Sequence, residues 1–125
     1  MKTNLFKNGK IKVMDGTFAV VKAKKTDPNA FCSIIDEKEI TVINDQNKII
    51  KDDIIEKDMG WKIITLDIVF PLDTIGVTAK ISKIMEKANI SILPISAFSR
   101  DHFLVKEQNL DKAIKSLKEL GLTCH

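Results

Sequence analysis

Residues 60–96 read GWKIITLDIVFPLDTIGVTAKISKIMEKANISILPIS, and their hydrophobic period changes from two to about 3.6 and back. In KIITLDIVF, Ile64, Leu66, Ile68 and Phe70 fall on one side and Ile63, Thr65, Asp67 and Val69 on the other, the alternation of a strand with one apolar face. After Pro71, Val77, Ile81, Ile84, Met85 and Ala88 recur at i, i+4, i+7, i+8 and i+11. That is one stripe of a helix whose opposite side carries Lys80, Lys83 and Glu86. Asp73 or Thr74 can cap its start and Asn89 can take a left-handed turn at its end. ISILPISAF then begins a short strand, and Pro94, which cannot donate to a ladder, makes it an edge or bulged strand.

Toward the C-terminus, HFLVK predicts a second short strand, joined to the first through the polar residues SRD. Leu110, Ala113, Ile114, Leu117 and Leu120 then mark a helix that begins near Asn109 and stops at Gly121. Leu122 to His125 can add a final strand. The order is strand, helix, strand, strand, helix, strand. It predicts an α+β, ferredoxin-like βαββαβ unit with both helices on one face of an antiparallel sheet.

Toward the N-terminus, IKVM and TFAVVKA flank Asp15-Gly16, a dipeptide that predicts a hairpin. Phe31 to Ile35 and Glu39 to Ile43 predict two more strands around the turn Asp36-Glu37-Lys38. Between Asn44 and Gly60, Ile49, Ile50, Ile54, Ile55 and Met59 recur at a spacing near five, which fits neither the helical nor the strand period. Gly60-Trp61 separates the halves, so the expected domains are 1–59 and 60–125, with Trp61 as an anchor at their junction.

A chain of 125 residues with 44% hydrophobic side chains can bury one compact body, or two units that lean on each other. A unit of about 60 residues buries only about 60% of its unfolded surface and is marginal alone. No apolar run approaches a membrane span, and MKTNLFKNGK carries no signal segment, so a cytoplasmic protein is expected. Cys32 and Cys124 lie far apart with no metal-binding spacing, so no metal and no cofactor is expected. Arg100 is the one arginine among 20 cationic residues, a poor endowment for reading bases or gripping phosphates, so no nucleic-acid partner is expected.

With these residues laid out, 60–125 resembles an ACT domain. The resemblance rests on residues 60–96, on AFSRDHFLV and on KEQNLDKAIKSLKELG. It is closest to short proteins with two tandem ACT units, a group to which the C-terminal portion of the cytosolic arginine sensors is also similar. It implies that residues 1–59 are a degenerate, strand-rich second unit, with FCSIIDEKEITVIND as its central strands.

The resemblance also implies a small amino-acid ligand at an interface between ACT units. The positions that match the family's ligand contacts are Asp73, Thr74, Ile75 and Gly76 in one segment and Ala97, Phe98, Ser99, Arg100 and Asp101 in the other. A helix opening near Thr74 would offer unpaired backbone N–H groups to a carboxylate, and Gly76 would allow close approach. Asp101 would accept a charge-assisted hydrogen bond from an α-ammonium group, and Phe98 could cover an aliphatic stem. Arg100 stands where the arginine sensors carry an aromatic residue. Its charge disfavours a cationic side chain and favours an acidic or neutral amino acid. The bland alternatives are that Asp73 caps a helix, Asp101 ends a turn and Phe98 packs in the core.

Catalysis is not expected. No nucleophile, phosphate-loop or metalloprotease motif is present, and His102, the strand neighbour of Asp101, should point to the opposite face. The expected protein is a ligand-responsive regulatory module that forms a homodimer or a larger homo-oligomer. The competing expectation is a structural or protein-interaction module of the same fold without a ligand.

Overall fold

The computed structural model describes residues 5–125. Eight strands and two α-helices are found among the described residues. In chain order they are β1 (Lys10–Val13), β2 (Phe18–Ala23), β3 (Cys32–Ile35), β4 (Ile40–Asp45), β5 (Ile54–Asp67), α1 (Val77–Lys87), β6 (Leu93–Ser96), β7 (Asp101–Lys106), α2 (Leu110–Lys118) and β8 (Thr123–Cys124). The reading of MKTNLFKNGK as free of a signal segment falls in part on residues 1–4, outside the described residues.

The chain forms two compact units. A main unit takes residues 5–14 and 62–125, and an inserted unit takes Asp15–Trp61. The division therefore differs from a single cut of the chain at residue 60. The reason is β1, whose Ile11 is fully buried in the core of the main unit. β5 runs unbroken through Gly60, and the division falls between Trp61 and Lys62.

The predicted hairpin at Asp15-Gly16 is corrected by the same strands. Gly16 does take the left-handed conformation, with φ of 94°. The strands on either side nevertheless pair with β5 and not with each other. β1 pairs antiparallel with its residues 64–67 and β2 with its residues 54–61.

The main unit carries the predicted order of elements. β5 pairs with β1 and β7, β1 with β8, and β7 with β6. The last strand thus runs parallel to β1, beside it rather than beside β5. Val77, Ile81 and Met85 of α1 and Ala113 and Leu117 of α2 share one core with Ile11, Ile64, Leu66, Phe103 and Val105, so both helices cover one face of the sheet. Each fully buried aliphatic side chain of this kind contributes about 1.5–3 kcal/mol. α1 ends as predicted, with Asn89 left-handed at φ 59° and the Ile90 N–H donating to the Met85 carbonyl. β6, carrying Pro94, pairs only with β7 and is an edge.

The inserted unit pairs its strands in the order β3-β4-β2-β5 and has no α-helix among its described residues. Ala19, Val21, Ala23 and Val42 form its core, and Ile49 and Ile54 pack on it from the segment whose spacing fitted no period. A 3-10 turn forms there at Lys51–Asp53, and from Ile54 onward the segment is the start of β5. Trp61, the last residue of this unit, is buried, and its Nε1–H donates to Asp58 Oδ1 at 3.0 Å.

Candidate functional site

The main unit opens into a cleft of about 260 Å³ between two chain segments. One runs from Phe70, just beyond the end of β5, to Ala79 in the first turn of α1, and the other is the β6–β7 connection from Ser96 to Asp101. The Phe70 N–H donates to the Ser99 carbonyl at 3.3 Å and ties the two segments together. The connection closes on itself through the Ala97 N–H and the Arg100 carbonyl at 3.0 Å.

Seven of the nine sequence-predicted residues line this cleft: Thr74, Gly76, Ala97, Phe98, Ser99, Arg100 and Asp101. Asp73 and Ile75 do not. Asp73 is exposed in the turn closed by the Thr74 N–H and the Pro71 carbonyl, and Ile75 is 91% exposed. The expected cap is also corrected. α1 starts at Val77, its N-cap is Gly76, and no side chain bonds to its first turn. Gly76 takes φ of 93°, a conformation costly for any residue with a Cβ, so the chain turns sharply there and the helix begins later than Asp73 or Thr74 would set it.

That later start adds Val77, Thr78 and Ala79 to the cleft, residues the sequence pattern placed inside the helix. The first N–H groups of a helix have no intrahelical partner, and the macrodipole places partial positive charge there. With no side-chain cap competing for them, these groups are available to an anion.

Asp101, the first residue of β7, is half-buried. Its carboxylate makes no hydrogen bond or salt bridge among the described residues, so no structural ion pair accounts for it. Phe98 is 79% exposed at the cleft and is not core. Arg100 is engaged: its Nε donates to Asp67 Oδ1 at 2.7 Å, and His125 Nε2 lies 3.4 Å from Asp67 Oδ2. Arg100's hydrogen bond and charge hold the Asp67 carboxyl below the usual carboxylate range. Its cation is therefore countered in part, a partnership 33 residues apart that no local pattern reveals.

His102 turns away from Asp101, as alternation along a strand requires, and its Nδ1 is hydrogen-bonded to Thr65 Oγ1 on β5 at 2.8 Å. Burial lowers its pKa, the charge of Arg100 lowers it further, and the charge of Asp101 opposes both.

The family model for the ACT domain matches residues 56–119, just over half of the chain. The chain belongs to the ACT domain family. Three solved structures share the fold of this chain over nearly all of its length. A protein from Agrobacterium tumefaciens is 21% identical, with a TM-score of 0.80 over 94% of this chain and 92% of its own. The aspartate kinase of Clostridium acetobutylicum is 15% identical, with a TM-score of 0.68 over 92% of this chain and 36% of its own. The regulatory subunit of aspartate kinase from Thermus thermophilus is 7% identical, with a TM-score of 0.63 over 90% of this chain and 97% of its own. Among curated proteins, none matches. At such identities these structures speak for the fold alone.

Proposed function

We propose that this ACT protein is a non-catalytic regulatory module that binds a free amino acid in the cleft of its main unit. The observation that carries the reading is the Asp101 carboxylate, half-buried in the cleft and without a protein partner, in the same cleft as the uncapped N-terminus of α1. An α-carboxylate suits the helix N-terminus and an α-ammonium group suits Asp101, so the cleft offers complementary charge to both ends of a zwitterion. Thr74, Ser99 and Arg100 complete its polar wall, and Phe98 lies over the aliphatic part of the ligand. Asp73 and Ile75, outside the cleft wall, act in this reading through the loop that shapes it. Arg100, held by Asp67, retains a preference for an acidic or neutral side chain over a cationic one.

The module works as a cytoplasmic homodimer or larger homo-oligomer, in which a second copy covers the ligand. Support for this comes from Val69, Leu72, Ile75 and Phe98, large apolar side chains exposed in or next to the segments that form the cleft. Such residues mark interaction surfaces when they gather in one place. The same residues favour a second reading, an assembly module with no ligand.

A thermal-shift screen over the twenty amino acids separates the two. A ligand that binds only the folded state adds about 2.7 kcal/mol at a hundredfold excess over its Kd. Stabilisation by at least one acidic or neutral amino acid is the expected result. A flat response to all twenty would leave the assembly module standing.

A further inference from the structure

The inserted unit has a cleft of its own, of about 250 Å³, which shares no residue with the cleft of the main unit. No α-helix forms among the described residues of this unit. Ile49, from the segment before β5, and Ile54, the first residue of β5, pack instead on the core that includes Ala19. A β-bulge borders the cleft. β2 pairs Phe18 with Trp61 and Val20 with Asp58, so Ala19 alone stands against Met59 and Gly60, and Gly60 takes the left-handed φ of 83° that such a bulge favours.

The chemistry of the wall is one-sided. Its charged residues are Lys51 and Lys57, neither of which has a salt-bridge partner among the described residues, and no acidic residue lines the cleft. Gln46 also lines it. The Gln46 Oε1 accepts the Gly60 N–H at 3.1 Å, which leaves the carboxamide NH₂ to donate. Ile49, Ile54 and Met59 supply apolar wall, with Ala19 at the bottom, 1% exposed.

We infer that this cleft binds a small aliphatic carboxylate, its anionic head on Lys51, Lys57 and Gln46 and its chain along Ile49, Ile54 and Met59. At about 250 Å³ the cleft has room for a short aliphatic chain. Two ammonium groups and an amide donor favour a carboxylate over an uncharged chain of the same length.

Hexanoate, with hexan-1-ol as the uncharged control, tests this on the ¹⁵N-labelled full chain by amide chemical shifts. Hexanoate is expected to move the Ala19, Asn47 and Met59 amides saturably while Gly76 and Ser99 stay in place, with hexan-1-ol at least tenfold weaker. The double substitution Lys51→Gln/Lys57→Gln should weaken hexanoate by tenfold or more with an otherwise unchanged spectrum. Asn47→Asp, which puts an anion on the wall, should weaken it as well. Absence of saturable shifts at Ala19, Asn47 and Met59, an equal response to the alcohol, movement of Gly76 and Ser99 instead, or unchanged affinity in both variants would each overturn the inference. Shifts confined to Ala19, Asn47 and Met59 leave the amino-acid site untouched, because that site uses other residues.

Discussion

Asp101 and His102 are neighbours on β7 with opposite fates: one faces the cleft without a partner, and the other bonds Thr65 across the sheet. If Asp101 holds an α-ammonium group, Asp101→Asn keeps the shape and loses the charge. Affinity for the ligand should then fall by about 1.5–3 kcal/mol, roughly ten- to a hundredfold. The melting temperature should hardly change, because no structural bond is lost; calorimetric titration and melting of the same variant check both. His102 makes the pH dependence specific. Its folded pKa lies below the ordinary value of 6.5, with burial as the largest cause. The unfolded chain therefore binds the proton more tightly. The stability contributed by neutral His102 is fully present above about pH 6.5 and is lost as pH falls toward the lowered folded pKa. Melting temperatures measured between pH 7.5 and 5 should drop less for His102→Gln than for the unsubstituted protein. An equal drop would place the pH sensitivity elsewhere. That the two side chains part ways was legible in the sequence from strand alternation alone. The pairing of Arg100 with Asp67 was not, because it joins the β6–β7 connection to the end of β5 through a contact no period encodes.

The elements that could be read were those whose pattern is complete within the element. α1 and α2 each show a whole apolar stripe, and the β6–β7 pair is joined by four residues, so position, type and partner all follow from a short window. β1 and β2 fail that condition. Asp15-Gly16 fixes a bend, but the partner of both strands is β5, a 14-residue strand some forty residues further on, and no local feature announces its length. The candidate site divides in the same way. The two loops were found through family resemblance, whereas the register of the helix start depended on the left-handed Gly76, which brings Val77 to Ala79 into the cleft in place of Asp73 and Ile75. The reassignment of β1 has its own consequence. Ile11 is fully buried with Ile64, Leu66 and Phe103, so Ile11→Ala should cost about 2–5 kcal/mol despite lying near the N-terminus. Urea unfolding measures this. A loss under 1 kcal/mol would mean that the strand frays and the main unit holds without it.

At the scale of the whole molecule, family membership and fold are established, and the regulatory role rests on how the cleft is used. Val69, Leu72, Ile75 and Phe98 leave apolar surface exposed about the cleft, which a second copy would cover. Sedimentation equilibrium at tens of micromolar should return at least twice the chain mass of 14.0 kDa, and Ile75→Asp should shift the protein toward monomer. A monomer at that concentration would contradict the assembly. Binding of an amino acid by the main unit remains the central claim, and mapping the site tests it most directly. Titration of the ¹⁵N-labelled protein with each of the twenty amino acids should show at least one, acidic or neutral, that moves the amides of Gly76 to Ala79 and Ala97 to Asp101 saturably. Saturable shifts found only outside these two segments, or no saturable shift with any of the twenty, would contradict it.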